Sequence, residues 1–139
     1  MSTNDSATAQ TGSAASAVLV LGRILLSVMF ILAGFSKLTA IGGTAGYFTS
    51  LGLPMPTVTT IVVGLIELLG GLAVLVGFQT RIAAVLLALL CVGSALVAHT
   101  DFADQGQMIN FQKNLAIAGG FLVLAVFGPG ALSIDAKRG

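Results

Sequence analysis

Seventeen consecutive uncharged residues separate Arg81 from His99, and three other stretches of the chain are nearly as empty of charge. Such a run constrains the fold more than any motif. Its backbone N–H and C=O groups, surrounded by apolar side chains, are satisfied together only inside a helix, and about 20 helical residues cross about 30 Å of hydrocarbon. The runs fall at about 17–36, 57–77, 82–99 and 114–130. Membrane-spanning barrels alternate apolar and polar residues, which these stretches do not. The expected fold class is therefore all-α, an integral membrane four-helix bundle.

Composition leads to the same place. Only 8% of the 139 residues are charged and 56% are hydrophobic, whereas a soluble domain uses about 25% charged residues to wet its surface. A water-soluble enzyme is excluded. The net charge of +1 is spread without a basic stripe, so no nucleic-acid partner is expected. The expected partner is the lipid bilayer.

Cysteine and histidine counts narrow the chemistry. Cys91 and His99 are each the only residue of their type. An intramolecular disulfide, a dithiol relay and bis-histidine haem ligation all need a second copy, and a Cys/His zinc site needs four ligands. Neither a metal site nor a covalently held cofactor is expected. There is no GxGxxG, no Walker-type loop and no HExxH, so no catalytic motif identifies an enzyme.

Along the chain, residues 1–16 are small and polar and read as a flexible tail. No secretory signal is expected there, because Asp5 and no Lys or Arg precedes the first apolar run. A four-span domain is expected over 17–136, followed by a basic tail at 137–139. Between the first two spans, a glycine-rich segment ends in Pro54 and Pro56. Its Tyr47, Phe48 and Leu51 form one face of a short interfacial helix, or the segment is an irregular linker. The GFQTR connection demands an antiparallel hairpin. An even number of spans puts both ends on one side. Arg23, Arg81, Lys137 and Arg138 lie there, against Lys37 and Lys113 opposite, so the positive-inside rule predicts cytoplasmic termini, with His99, Asp101 and Asp104 outside.

Ionisable residues within spans cost about 2.5–3.5 kcal/mol each at the bilayer centre, so each requires a partner or a role. On a helical wheel Arg23, Ser27, Phe30, Gly34 and Lys37 share one face of the first span. Glu67 shares a face of the second with Thr60, Gly64, Gly70 and Gly71, small residues that admit a neighbouring backbone. With antiparallel, centred spans, an Arg23–Glu67 ion pair is the leading expectation. The alternative has Arg23 reaching cytoplasmic headgroups and Glu67 neutral. Lys37, His99, Lys113 and Asn114 fall at the outer ends of spans and converge on one mouth. They suit a pocket that hydrogen-bonds a polarised carbonyl such as a quinone headgroup, or else they are interfacial anchors and a helix cap. Gly119, Gly120 and Ala116, with Ala84 and Ala88, suit close helix packing, and Cys91 is an inert thiol among leucines.

The segments LGRILLSVMFILAGFSKL, IELLGGLAVLVGFQTR and KNLAIAGGFLVLAVFGPGALSID, with His99 between the last two, resemble in order and spacing the DoxX family of small four-helix bacterial inner-membrane proteins. The resemblance covers residues 18–136. It implies a multi-pass plasma-membrane protein associated with quinone-linked or thiol/sulfur-related redox systems, an oxidoreductase subunit rather than a stand-alone catalyst. Quinone is then the implied ligand, with redox enzyme subunits or further copies of the chain as partners. The family's charged positions correspond to Arg23, Lys37, Glu67, Arg81, His99 and Lys113. A small transporter or channel, or a membrane assembly scaffold, is the alternative.

Overall fold

The computed structural model describes the backbone of residues 3–138 and the side-chain surroundings of residues 12–138. Six helices follow in order: α1 (Thr3–Thr39), α2 (Ile41–Ser50), α3 (Pro56–Val76), α4 (Thr80–Ala98), α5 (Gln105–Phe127) and α6 (Ile134–Arg138). No strand occurs among the described residues. Four helices are long and apolar enough to cross a membrane: α1 from Gly12 onward, α3, α4 and α5. Their outward faces expose Leu25, Leu32, Leu69, Leu89 and Val126. Acyl chains accept such surface at little cost, whereas water disfavours it by about 25 cal/mol per Å².

Local chemistry sets the boundaries. Pro56 begins α3, where its missing N–H is no loss. Gly77 ends it in the left-handed region at φ 73°, and the N–H of Phe78 donates back to Ala73 at 2.8 Å, a C-terminal closure that favours glycine. Three residues later α4 begins, so α3 and α4 run antiparallel as the short connection requires.

The closest helix pairs are α1 on α3 and α4 on α5. Among the described residues, α1 buries Arg23, Ser27, Phe30 and Gly34, and α3 buries Thr60, Gly64, Glu67, Gly71 and Val74. These are the two faces the helical wheels single out. A Cβ on Gly34 would lie 2.5 Å from the backbone N of Leu68 and 2.7 Å from the carbonyl of Gly64, so main chain meets main chain there. Between the pairs sits an apolar core of Phe30, Val74, Leu87, Cys91, Phe121 and Leu124, with Phe30 edge-on to Phe121 at 5.4 Å. Gly120 faces Leu26, whereas Gly119 faces open space.

Three boundaries differ from expectation. Helix α5 starts at Gln105 rather than near 114 because Asp104 caps it, accepting from the N–H groups of Gly106 (2.9 Å) and Gln107 (3.3 Å). The polar stretch to Lys113 thus forms its first turns. Helix α1 already includes residues 3–16, where a tail was expected. This segment contains no proline and is rich in alanine, so nothing in it stops a helix. Residues 1–2 lie outside the described residues. At the other terminus Lys137 and Arg138 belong to α6 rather than to a tail, and Gly139 lies outside the described residues. The segment after α1 is the short helix α2, with Phe48 buried.

Candidate functional site

The small faces of α1 and α3 fix an axial register that decides where each charge goes. Ile31 and Ser27 meet Gly71, and Lys37 and Leu38 meet Gly64, so Glu67 lies level with the segment around Gly34. In a helix each Cα–Cβ bond tilts toward the N-terminus. On α1 this tilts Lys37 toward Glu67 and tilts Arg23 away from it. The Lys37 stem crosses α3 over Gly64, and its ammonium meets Glu67 with Nζ 2.8 Å from Oε1. The expected Arg23–Glu67 pair does not form. Its premise, two spans centred on each other, neglects both the glycine register and the Cβ direction, and Arg23 lies 14 residues before Lys37, about 21 Å along the helix.

Arg23 closes the opposite end of the bundle. Its guanidinium packs over Gly77, where a side chain would collide with it, and Nη2 donates to the carbonyl of Leu132 at 2.7 Å. Nε and Nη1 have no protein partner among the described residues. Nearby, Asp135 performs a task that α4 does not perform for itself. Gln79, the residue preceding α4, makes no side-chain cap. Instead the Asp135 carboxylate accepts from the N–H of Gln79 (2.7 Å), the N–H of Thr80 (2.8 Å) and the Thr80 hydroxyl (2.7 Å). Partial desolvation pushes this carboxyl upward, but the bonds from Thr80 and Gln79 and the charge of Arg138 outweigh it and hold it below the usual range. The signal available in the sequence was negative: GFQTR offers α4 no Ser, Thr, Asp or Asn ahead of Thr80, so an acceptor had to come from elsewhere.

Toward the Lys37 end α1, α2, α3 and α4, with Asn114 of α5, line a cavity of about 680 Å³ that is open to the outside, where Met29, Leu89 and Val97 remain exposed. Glu67 and Lys37 form its polar floor, and His99 and Asn114 lie on its lining. Met29, Leu89, Leu90 and Val97 supply apolar wall, and Tyr47 and Phe48 of α2 contribute from the side. Lys37 is the more accessible partner of the pair, with 23% of its side chain exposed against 7% for Glu67. Lys113 is exposed and does not line the cavity. Because α5 begins at Gln105, Lys113 sits two turns inside the helix and on its outer face. Of the four residues expected at one mouth, the fold thus brings together Lys37, His99 and Asn114. Sequence reasoning missed the contributions of Cys91, Gly93 and Ser94 to the wall. No group of three or more His, Cys, Asp or Glu able to hold a metal occurs among the described residues.

An apolar chamber with one donor-rich pair at its base suits a small lipophilic molecule bearing a polar head. Its volume lies within the roughly 300–1,000 Å³ usual for such ligands. Removing either member of a buried ion pair leaves the other unpaired, at a cost of about 3–5 kcal/mol.

Comparison with known proteins places the chain. The DoxX family model matches residues 18–100. The chain is similar to "Inner membrane protein YphA" of Escherichia coli (strain K12), 40% identical over 131 residues, covering 91% of this chain and 94% of that protein. It is also similar to "Inner membrane protein YqjF" of the same organism, 42% identical over 116 residues, covering 84% and 88%. A more partial likeness, 38% over 74 residues and 53% and 54% of the two chains, is to the Bacillus subtilis (strain 168) protein named "Putative oxidoreductase CatD". No solved structure matches significantly. The chain therefore belongs to the DoxX family and is a multi-pass inner-membrane protein.

Proposed function

We propose that this protein is the membrane subunit of a quinone-linked redox system, possessed of a ligand chamber rather than a catalytic centre of its own. The observation that carries the reading is the Lys37–Glu67 pair at the base of an otherwise largely apolar cavity, with His99 and Asn114 also on its lining. A quinone has the matching form. Its ring carbonyls accept hydrogen bonds from Lys37, Asn114 or His99, while its tail lies along Met29, Leu89 and Val97. The oxidoreductase designation borne by the Bacillus subtilis relative supports a redox setting. With one cysteine and no dithiol, the chain binds and orients. Electrons pass between the quinone and a partner enzyme, which in some settings handles thiol or sulfur substrates. The cavity end faces away from the cytoplasm, and the Arg23 end, with Arg81, Lys137 and Arg138, faces it.

The test is titration of decylubiquinone into the purified protein in lipid nanodiscs, with protein-free nanodiscs as the blank. Saturable binding is expected. His99→Ala weakens it about three- to tenfold, the equivalent of one hydrogen bond. Lys113→Ala leaves it unchanged. Gly93 lines the cavity and has open space where a Cβ would stand, so Gly93→Leu adds a bulky side chain at the lining without a clash and is expected to weaken binding at least about tenfold. Absent saturation, or equal binding by the Gly93→Leu protein, discards the proposal.

A further inference from the structure

The floor of the cavity holds one cation and one anion, and this has a consequence for what enters. A lone ammonium at the base of an apolar chamber is a receptor for carboxylates, and membranes offer fatty acids in abundance. Here the Lys37 ammonium is already held by Glu67 at 2.8 Å. The other titratable groups on the lining are His99, Tyr47 and Cys91. The Lys37–Glu67 pair itself sums to zero whether the proton within it rests on lysine or on glutamate.

A ligand carboxylate about 3 Å from Nζ, on the side open to the cavity, would stand roughly 5–6 Å from the Glu67 carboxylate, so about half of its attraction is cancelled by repulsion. The cost of stripping water from the anion is then not recovered. A neutral carbonyl faces no such loss. It accepts one of the two N–H donors that Lys37 retains, and a charged donor makes that bond stronger than a neutral one would. Glu67 is too buried, at 7% side-chain exposure, to take the ligand's place as the first partner met, whereas Lys37 at 23% faces it.

We infer that Glu67 is a specificity-determining residue that sets the charge class of the ligand, tuning the cavity to neutral lipophilic carbonyl compounds and against anionic amphiphiles. This rests on the reading of the cavity as the ligand site given above. Glu67 acts through Lys37 rather than by touching the ligand, so its effect is read as a change of preference.

The experiment compares decylubiquinone with laurate, two probes with aliphatic chains of similar length, on the native protein, Glu67→Gln and the double variant Lys37→Gln/Glu67→Gln, all in nanodiscs. Native protein is expected to bind decylubiquinone at least about tenfold more tightly than laurate. Glu67→Gln lowers that ratio at least about tenfold through a gain in laurate binding. The double variant loses the gain. A native preference below tenfold, or a ratio unmoved by Glu67→Gln, overturns the inference while quinone binding that Gly93→Leu weakens leaves the ligand site standing. Binding of neither probe discards both. Should Glu67→Gln fail to fold, the native preference alone decides.

Discussion

Asp135 shows how much a single side chain contributes when it serves two helices. It caps α4 from α6, accepting three hydrogen bonds at 2.7–2.8 Å. Asp135→Ala is expected to cost about 1 kcal/mol, the usual worth of a cap, read as a lower Tm in detergent. Because folding depresses the pKa of this carboxyl, its contribution is present above the unfolded value of 3.8 and is lost as pH falls below it. The Tm gap between native and Asp135→Ala therefore narrows below about pH 4. A gap that is constant across this window contradicts the assignment. The sequence alone made Arg23, Lys37 and Glu67 legible as inward-facing, since a charge in a span cannot face acyl chains cheaply. It did not reveal which cation takes the carboxylate. That choice depends on axial register, which a helical wheel discards.

At the level of elements, the register comes from glycine. Gly34 against Gly64 and Leu68, and Gly71 against Ile31 and Ser27, draw α1 onto α3 until backbones touch. Gly34→Ala forces them apart and is expected to destabilise by about 1–3 kcal/mol. Gly119→Ala is the control. It meets open space and gains helix propensity worth up to about 1 kcal/mol. Thermal denaturation of both variants in the same detergent checks the pair, and equal Tm shifts would refute the close-approach argument. The number and type of the membrane-spanning helices were legible from apolar run length, and the α3–α4 hairpin from its short connection. The start of α5 was not. Its first turns, Gln105 to Lys113, are polar and project beyond the apolar run, so hydropathy misplaces the boundary while the Asp104 cap marks it. Lys113 was assigned to the mouth as a result.

For the whole molecule, the described residues place the beginning of the membrane-spanning part of α1 and the C-terminal α6 at the same end, since Leu132 bonds Arg23 and Asp135 bonds Gln79 and Thr80. The only native cysteine, Cys91, is buried, which leaves a quiet background for accessibility labelling. Ala136→Cys is expected to resist a membrane-impermeant maleimide in intact cells, and Phe102→Cys to react. The reverse pattern inverts the proposed orientation, and reaction at both positions breaks the topology. The contacts of Leu132 and Asp135 also bear on biogenesis. Both residues come after α5 in the chain, so all four transmembrane segments are made before the latch joining α1, the α3–α4 hairpin and α6 can close. A nascent chain stalled short of Leu132 would hold every span yet lack that latch, and a protease surveying the membrane would find the Arg23 end of the bundle undone.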